Sequence, residues 1–255
     1  MSVRIFGFHS PQPPAATRVA TQLDEVRPLL AAAEAAAKAG RWVAVAVSYD
    51  AAPAFDPAMR TAGASGVPLA WMAEFITLQP GAGELAGNMG TMFTPTLDEA
   101  GFRARVRQVQ ERIRAGDTYQ VNLTFPLEAT APADLDSWFT ALHHAQDVPF
   151  AAFLDLGSHV VLSLSPELFF EIDGETIRTR PMKGTVGRGR WLAEDVARGR
   201  ALAASAKAQA ENVMIVDLLR NDIGRVAETG SVRVPKLFAL ERYPTLWQLT
   251  STRSE

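Results

Sequence analysis

Cysteine is absent from all 255 residues. That excludes disulfides, thiolate metal sites and any thiol nucleophile, so chemistry here must run on oxygen or nitrogen. Runs of Lys or Arg are missing too, and the formal charge is only −3. The electrostatic footprint of a nucleic-acid binder is therefore lacking. No apolar stretch reaches membrane-spanning length, and MSVRIFGFHS at the start has no signal-like apolar segment. A cytoplasmic location is the default expectation. Histidine is scarce: His9, His143, His144 and His159 are the four present, and their spacing suggests no metal site.

What is there is a chain 47% apolar, enough to bury the core of one large domain or two small ones. Leu23, Val26, Leu29 and Leu30 recur at helical spacing, which predicts a helix from Ala15 to about Gly40. Trp42 to Tyr49 reads as a strand buried on both faces, and Ala51 to about Gly90 as strands with long connections. Thr96 and Glu99 have capping-box spacing before Phe102, Val106, Val109 and Ile113, so a second helix is expected up to Gly116. Alternation of Tyr119, Val121, Leu123, Phe125 and Leu127 predicts a strand whose other face carries Gln120, Asn122 and Thr124.

Two hairpins follow in the pattern, Phe150–Leu154 with Val160–Leu164 and Leu168–Ile172 with Thr176–Thr179. Trp191 to Ile223 is helical and ends at Asn221-Asp222-Ile223-Gly224. Strands followed by packed helices without strict alternation predict an α+β fold with largely antiparallel sheets. The expected division is 1–95 and 96–255.

Four collinear segments carry a resemblance. They are GDTYQVNLT from Gly116, SLSPELFFEIDGETIRTRPMKGTVGRG from Ser163, ENVMIVDLLRNDIGRV from Glu211, and GSVRVPKLFALERYPTLWQLTST from Gly230. Together they resemble the chorismate-utilising enzymes, the family of anthranilate, aminodeoxychorismate, isochorismate and salicylate synthases. Lys183 in RPMKGT stands where the aminodeoxychorismate synthases have lysine, whereas anthranilate and isochorismate synthases typically have alanine.

The resemblance implies amination of chorismate at C4, in the p-aminobenzoate branch of folate synthesis. Lys183 would be the nucleophile, attacking C2 and expelling the C4 oxygen, and Glu167 the general acid and base at that oxygen. Gly184 and Thr185 would contact substrate, and Glu211 would be the first ligand of Mg²⁺. Ammonia is expected from a separate glutamine amidotransferase subunit, since no cysteine is available for one here. A free lysine, with a pKa of about 10.4, is protonated at neutral pH. Burial and inward-facing Arg180 and Arg188 are the expected means of lowering it.

The family's second metal ligand and a GAPK-like substrate-holding segment belong to its C-terminal portion, which this sequence does not contain. Another chorismate-utilising activity, or an inactive scaffold or partner-binding module, are the alternatives. Thr250 and Ser251 are further candidates to hydrogen-bond substrate. Gln248 stands in a WQLTS context where relatives often carry histidine.

Overall fold

A computed structural model describes residues 3–5, 8–63, 66–80 and 91–254. The chain forms two units, Met1–Gly83 with Leu142–Glu255, and Glu84–Ala141.

The first unit opens with β1 (Val3–Ile5), β2 (Phe8–His9) and β3 (Ala16–Ala20), then α1 (Leu23–Lys38), β4 (Trp42–Val47), β5 (Ala70–Phe75) and β6 (Gln79–Pro80). The helix expected from Ala15 starts later, because Gln22 and Glu25 form the capping box while Ala16–Ala20 pair with β5. Gly40, at φ 80°, ends the turn after α1 as its position suggested. Positions 64, 65 and 81–90 of the Pro- and Gly-broken stretch lie outside the described residues.

Strand order β3-β5-β4 makes β5, not β4, the strand buried on both faces. Trp42, Val45 and Val47 of β4 are exposed, which corrects the two-sided burial expected of that run. Alternation along β5 explains its place. Trp71, Ala73 and Phe75 pack with Val3, Leu154 and Leu156, while Ala70 and Met72 meet Val26, Leu29 and Ala33 of α1. Burying the larger of these side chains contributes about 1.5–3 kcal/mol each, and the alanines about 1 or less.

The second unit contains β7 (Thr94–Pro95), α2 (Glu99–Ala115), β8 (Leu127–Glu128) and the start of α3 (Leu135–Gln146). Asp98, not Thr96, caps α2 by accepting from the Gly101 amide, and the Thr96 hydroxyl donates to the Pro126 carbonyl. The strand expected over 118–127 is irregular up to Leu127. Among the described residues only Leu127 of this alternation pairs with a strand, β7, while Phe125 meets the Phe102 ring edge-on and Tyr119 is 89% exposed. The α3 helix was not foreseen, although Leu135, Trp138, Phe139 and Leu142 recur at helical spacing.

The rest of the first unit runs β9 (Phe150–Asp155), β10 (Val160–Ser165), β11 (Leu168–Asp173), β12 (Thr176–Arg180), β13 (Met182–Gly187), α4 (Leu192–Ala203), α5 (Ala206–Gly224), β14 (Arg233–Arg242) and β15 (Leu246–Ser254). Both hairpins fall where the pattern placed them. One sheet has the order β10-β9-β1-β2-β6, another β11-β12-β15-β13 with β14 also paired to β15. All pairings are antiparallel, and the fold is α+β. Ala208, Asn212 and Val216, four residues apart on α5, form its buried stripe, and the helix packs on β13 and β15.

Candidate active site

Lys183 lies in a bulge. Met182 pairs with Thr250 and Thr185 with Gln248, so three steps on β13 oppose two on β15. The bulge needs glycine at 184 on two grounds. Its φ of 92° lies in the left-handed region, and a Cβ there would stand 2.9 Å from the Ala208 Cβ and 3.1 Å from the Leu202 Cδ1. Packing of the bulge against α4 and α5 leaves Lys183 half-buried, whereas the other three lysines, Lys38, Lys207 and Lys236, are exposed.

Glu167 occupies the link between β10 and β11. Its amide donates to the Ser165 hydroxyl at 3.1 Å, which donates back to the Glu167 carbonyl, a local turn favoured by serine before proline. Pairing of Leu168 with Arg180 then carries Glu167 alongside Met182. The Met182 amide donates to Glu167 Oε1 at 3.3 Å, so the carboxylate is tethered to the residue preceding Lys183. Glu167 is otherwise exposed.

Gln248, 2% exposed, clamps the bulge from β15. Its Nε2 donates to the Gly184 carbonyl at 3.1 Å, and its Oε1 accepts from the Thr185 hydroxyl at 2.9 Å. Thr185 is thus exposed in its body but has its hydroxyl proton directed inward. Sequence reasoning treated Gln248 only as a departure from the family; its pairing with Thr185 depends on a register that no local pattern reveals.

The two arginines foreseen as cationic neighbours of Lys183 are each held by a carboxylate. Arg180 donates to Glu241 Oε1 at 3.2 Å and to the Pro166 carbonyl at 3.3 Å, and its guanidinium lies 5.9 Å from the Phe150 ring centre. Arg188 grips Asp195 through two bonds, Nε to Oδ1 at 2.7 Å and Nη2 to Oδ2 at 2.6 Å. The Gly189 amide and Trp247 Nε1 also donate to Asp195 Oδ1. Arg188, more than its burial resists, holds the Asp195 carboxyl far below the usual carboxylate range. Gly189 is obligatory beside it, because a Cβ would fall 2.2 Å from the Asp195 nitrogen.

Thr250 and Ser251 are buried and committed internally. Thr250 donates to Glu241 Oε1 at 2.9 Å. Ser251 donates to Asn212 Oδ1 and accepts from the amide of Phe238, which sits at φ 56° in a bulge of β14. Their hydroxyls tie β15 to β14 and, through Asn212, to α5. Glu241 also accepts from the Tyr243 hydroxyl; desolvation first, then this carboxylate, pushes the phenol up to about 12.

Glu211 precedes the buried Asn212 on α5 and is half-buried. It lies 3.8 Å from the Lys207 ammonium, one helical turn back. Among the described residues no three acidic or histidine side chains gather into a metal-binding group. The Glu211 carboxylate is a donor type that Mg²⁺ accepts alongside waters and other oxygens. None of the described helices is long and apolar enough to cross a membrane.

Residues 72–253 match the family described as chorismate binding enzyme. Similar curated proteins include aminodeoxychorismate synthase component 1 of Escherichia coli, 51% identical over 59% of this chain and 33% of that protein. Another is the aminodeoxychorismate synthase of Streptomyces griseus, 47% identical over 61% of this chain and 22% of that one. Anthranilate synthase component 1 of Streptomyces coelicolor is 41% identical over 68% and 34%. The match thus spans about a third of the length of the first relatives. Among solved structures, anthranilate synthase component I of Streptococcus pneumoniae superposes with TM-score 0.76 at 18% identity, over 100% of this chain and 68% of that one. The menaquinone-specific isochorismate synthase of Escherichia coli gives 0.57 at 15% identity, over 99% and 63%. This chain belongs to the chorismate binding enzyme family.

Proposed function

We propose that this chain is the core of an aminodeoxychorismate synthase catalytic subunit, replacing the C4 hydroxyl of chorismate with an amino group. The observation that carries the reading is the half-buried Lys183 in its bulge, with the Glu167 carboxylate tethered one residue away. Identity with the named synthases supports it.

The chemistry follows from those two side chains. The Lys183 amine adds to C2 of the diene, the double bonds shift, and the C4–O bond breaks. Glu167 gives its proton to the departing oxygen, which leaves as water. Ammonia then adds at C4, the electrons shift back, and the Lys183 C2–N bond breaks, regenerating the amine. Glu167, now ionised, accepts the proton released by the incoming ammonia. Gly184 and Thr185 form the floor beside the nucleophile.

Glu211 would hold Mg²⁺, which when bound would balance the charge of a substrate carboxylate. A partner glutamine amidotransferase would supply ammonia in the cytoplasm.

The test is product analysis after incubation with chorismate, ammonium and Mg²⁺. Aminodeoxychorismate is expected; anthranilate or isochorismate as the product overturns the reading. A scaffold would instead give no metal-dependent heat on calorimetric titration with chorismate.

A further inference from the structure

We infer that Gln248 is a positioning residue that sets the direction in which Lys183 leaves its bulge. The inference deepens the reading of Lys183 as nucleophile and rests on it.

The amide of Gln248 spans one peptide unit. It donates to the Gly184 carbonyl and accepts from the Thr185 hydroxyl, so both groups following Lys183 are fixed by one side chain. Gln248 has no freedom of its own to give: it is 2% exposed, and it pairs with Thr185 across the ladder. From the opposite side Ala208 and Leu202 press on Gly184 at distances that leave no room for a methyl group. A bulge with one extra residue can swing its side chain toward either face. Here the α-helical wall blocks one direction and the Gln248 clamp holds the backbone in the other. Lys183 itself has no ion pair among the described residues, so its orientation comes from the backbone and not from a carboxylate.

An amide is the side chain that suits this task. It supplies a donor and an acceptor at once and carries no proton that comes off in the working pH range. A leucine of similar size leaves the Gly184 carbonyl and the Thr185 hydroxyl without partners. A glutamate keeps the acceptor for Thr185 but sets a carboxylate oxygen against the Gly184 carbonyl.

The test uses the full 255-residue chain with its four lysines reductively methylated with ¹³C. Lys183→Arg assigns the Lys183 methyl resonance. In the native chain that resonance is expected apart from those of Lys38, Lys207 and Lys236. In Gln248→Leu it should lose at least half of that separation, in Gln248→Glu less, with circular dichroism unchanged. Thr185→Val removes one bond without touching Gln248 and should move the resonance in the same direction, which keeps the test valid where Gln248→Leu fails to fold. A native Lys183 resonance that coincides with the exposed lysines, or one that stays in place in both folded variants, overturns the inference. In turnover, Gln248→Leu should lower kcat about 10- to 100-fold with little change in KM, the pattern of a misplaced reacting group. A chain that makes no aminodeoxychorismate but whose Lys183 resonance moves as described refutes the functional reading and leaves the positioning role standing.

Discussion

The backbone amide of Met182, the first residue of β13, donates to the carboxylate of Glu167 in the link between β10 and β11. One bond therefore joins the two halves of the proposed chemistry, because Met182 is the residue before Lys183. It also fixes one of the two Glu167 carboxylate oxygens.

Glu167→Gln keeps an acceptor for Met182 but cannot give or take the proton at C4. Aminodeoxychorismate formation should fall about 10²- to 10⁴-fold, the range for loss of a general acid or base. The melting temperature should stay within the error of the native value. A variant retaining more than a tenth of native turnover would remove Glu167 from the mechanism.

Gly184→Ala meets two penalties at once, a positive φ and a methyl group 2.9 Å from the Ala208 Cβ. A loss of about 2–4 kcal/mol is expected from left-handed strain plus overpacking. Urea unfolding measures it, and a midpoint unchanged from native would show that the bulge relaxes freely.

Asn212→Ala strips partners from the Leu249 carbonyl and the Ser251 hydroxyl in the interior between α5 and β15. Loss of these two buried bonds should lower stability by about 1–3 kcal/mol, the Ser251 oxygen still accepting from the Phe238 amide. Ser251→Ala in the same background should then add less than it does alone, since its bond to Asn212 is already gone and only the one from the Phe238 amide remains to be lost. Full additivity in the double variant would contradict a shared network.

The acid limb of stability should report Asp195. Its folded pKa is depressed by the Arg188 guanidinium, so its contribution is fully present above the unfolded carboxylate value of about 3.9 and is lost progressively as pH falls below it. Tyr243 gives the opposite sign at the other end: its folded value of about 12 lies above the unfolded value near 10, so stability falls as pH rises between them. Urea midpoints from pH 2 to 7 are expected to drop steeply below pH 4 in the native chain. They should drop less in Asp195→Asn, which starts from lower stability. Parallel acid limbs would mean that other carboxylates dominate.

Much of this was legible in the sequence. The β9–β10 and β11–β12 hairpins and the helices α4 and α5 carry local signals, alternation around short turns and apolar spacing, that tertiary contacts reinforce. Glu167, Lys183 and Glu211 became candidates through family motifs, and the hairpin between the first two allowed them to lie near each other. The failures are of another kind. Residues 118–126 alternate without strand pairing, Ala16–Ala20 were drawn into a helix by neighbouring alanines, and β4 proved to be an edge. The clamp of Gln248, the Asn212–Ser251 bond and the Arg188–Asp195 grip join residues that only the register of β15 and the packing of α4 and α5 bring together.

The central claim is that the Lys183 amine does the chemistry at C2. Lys183→Ala, assayed for aminodeoxychorismate with chorismate, ammonium and Mg²⁺, tests it most directly. The account predicts product loss of about 10³-fold or more in a variant that folds and still binds chorismate. Formation of aminodeoxychorismate at the native rate would contradict it.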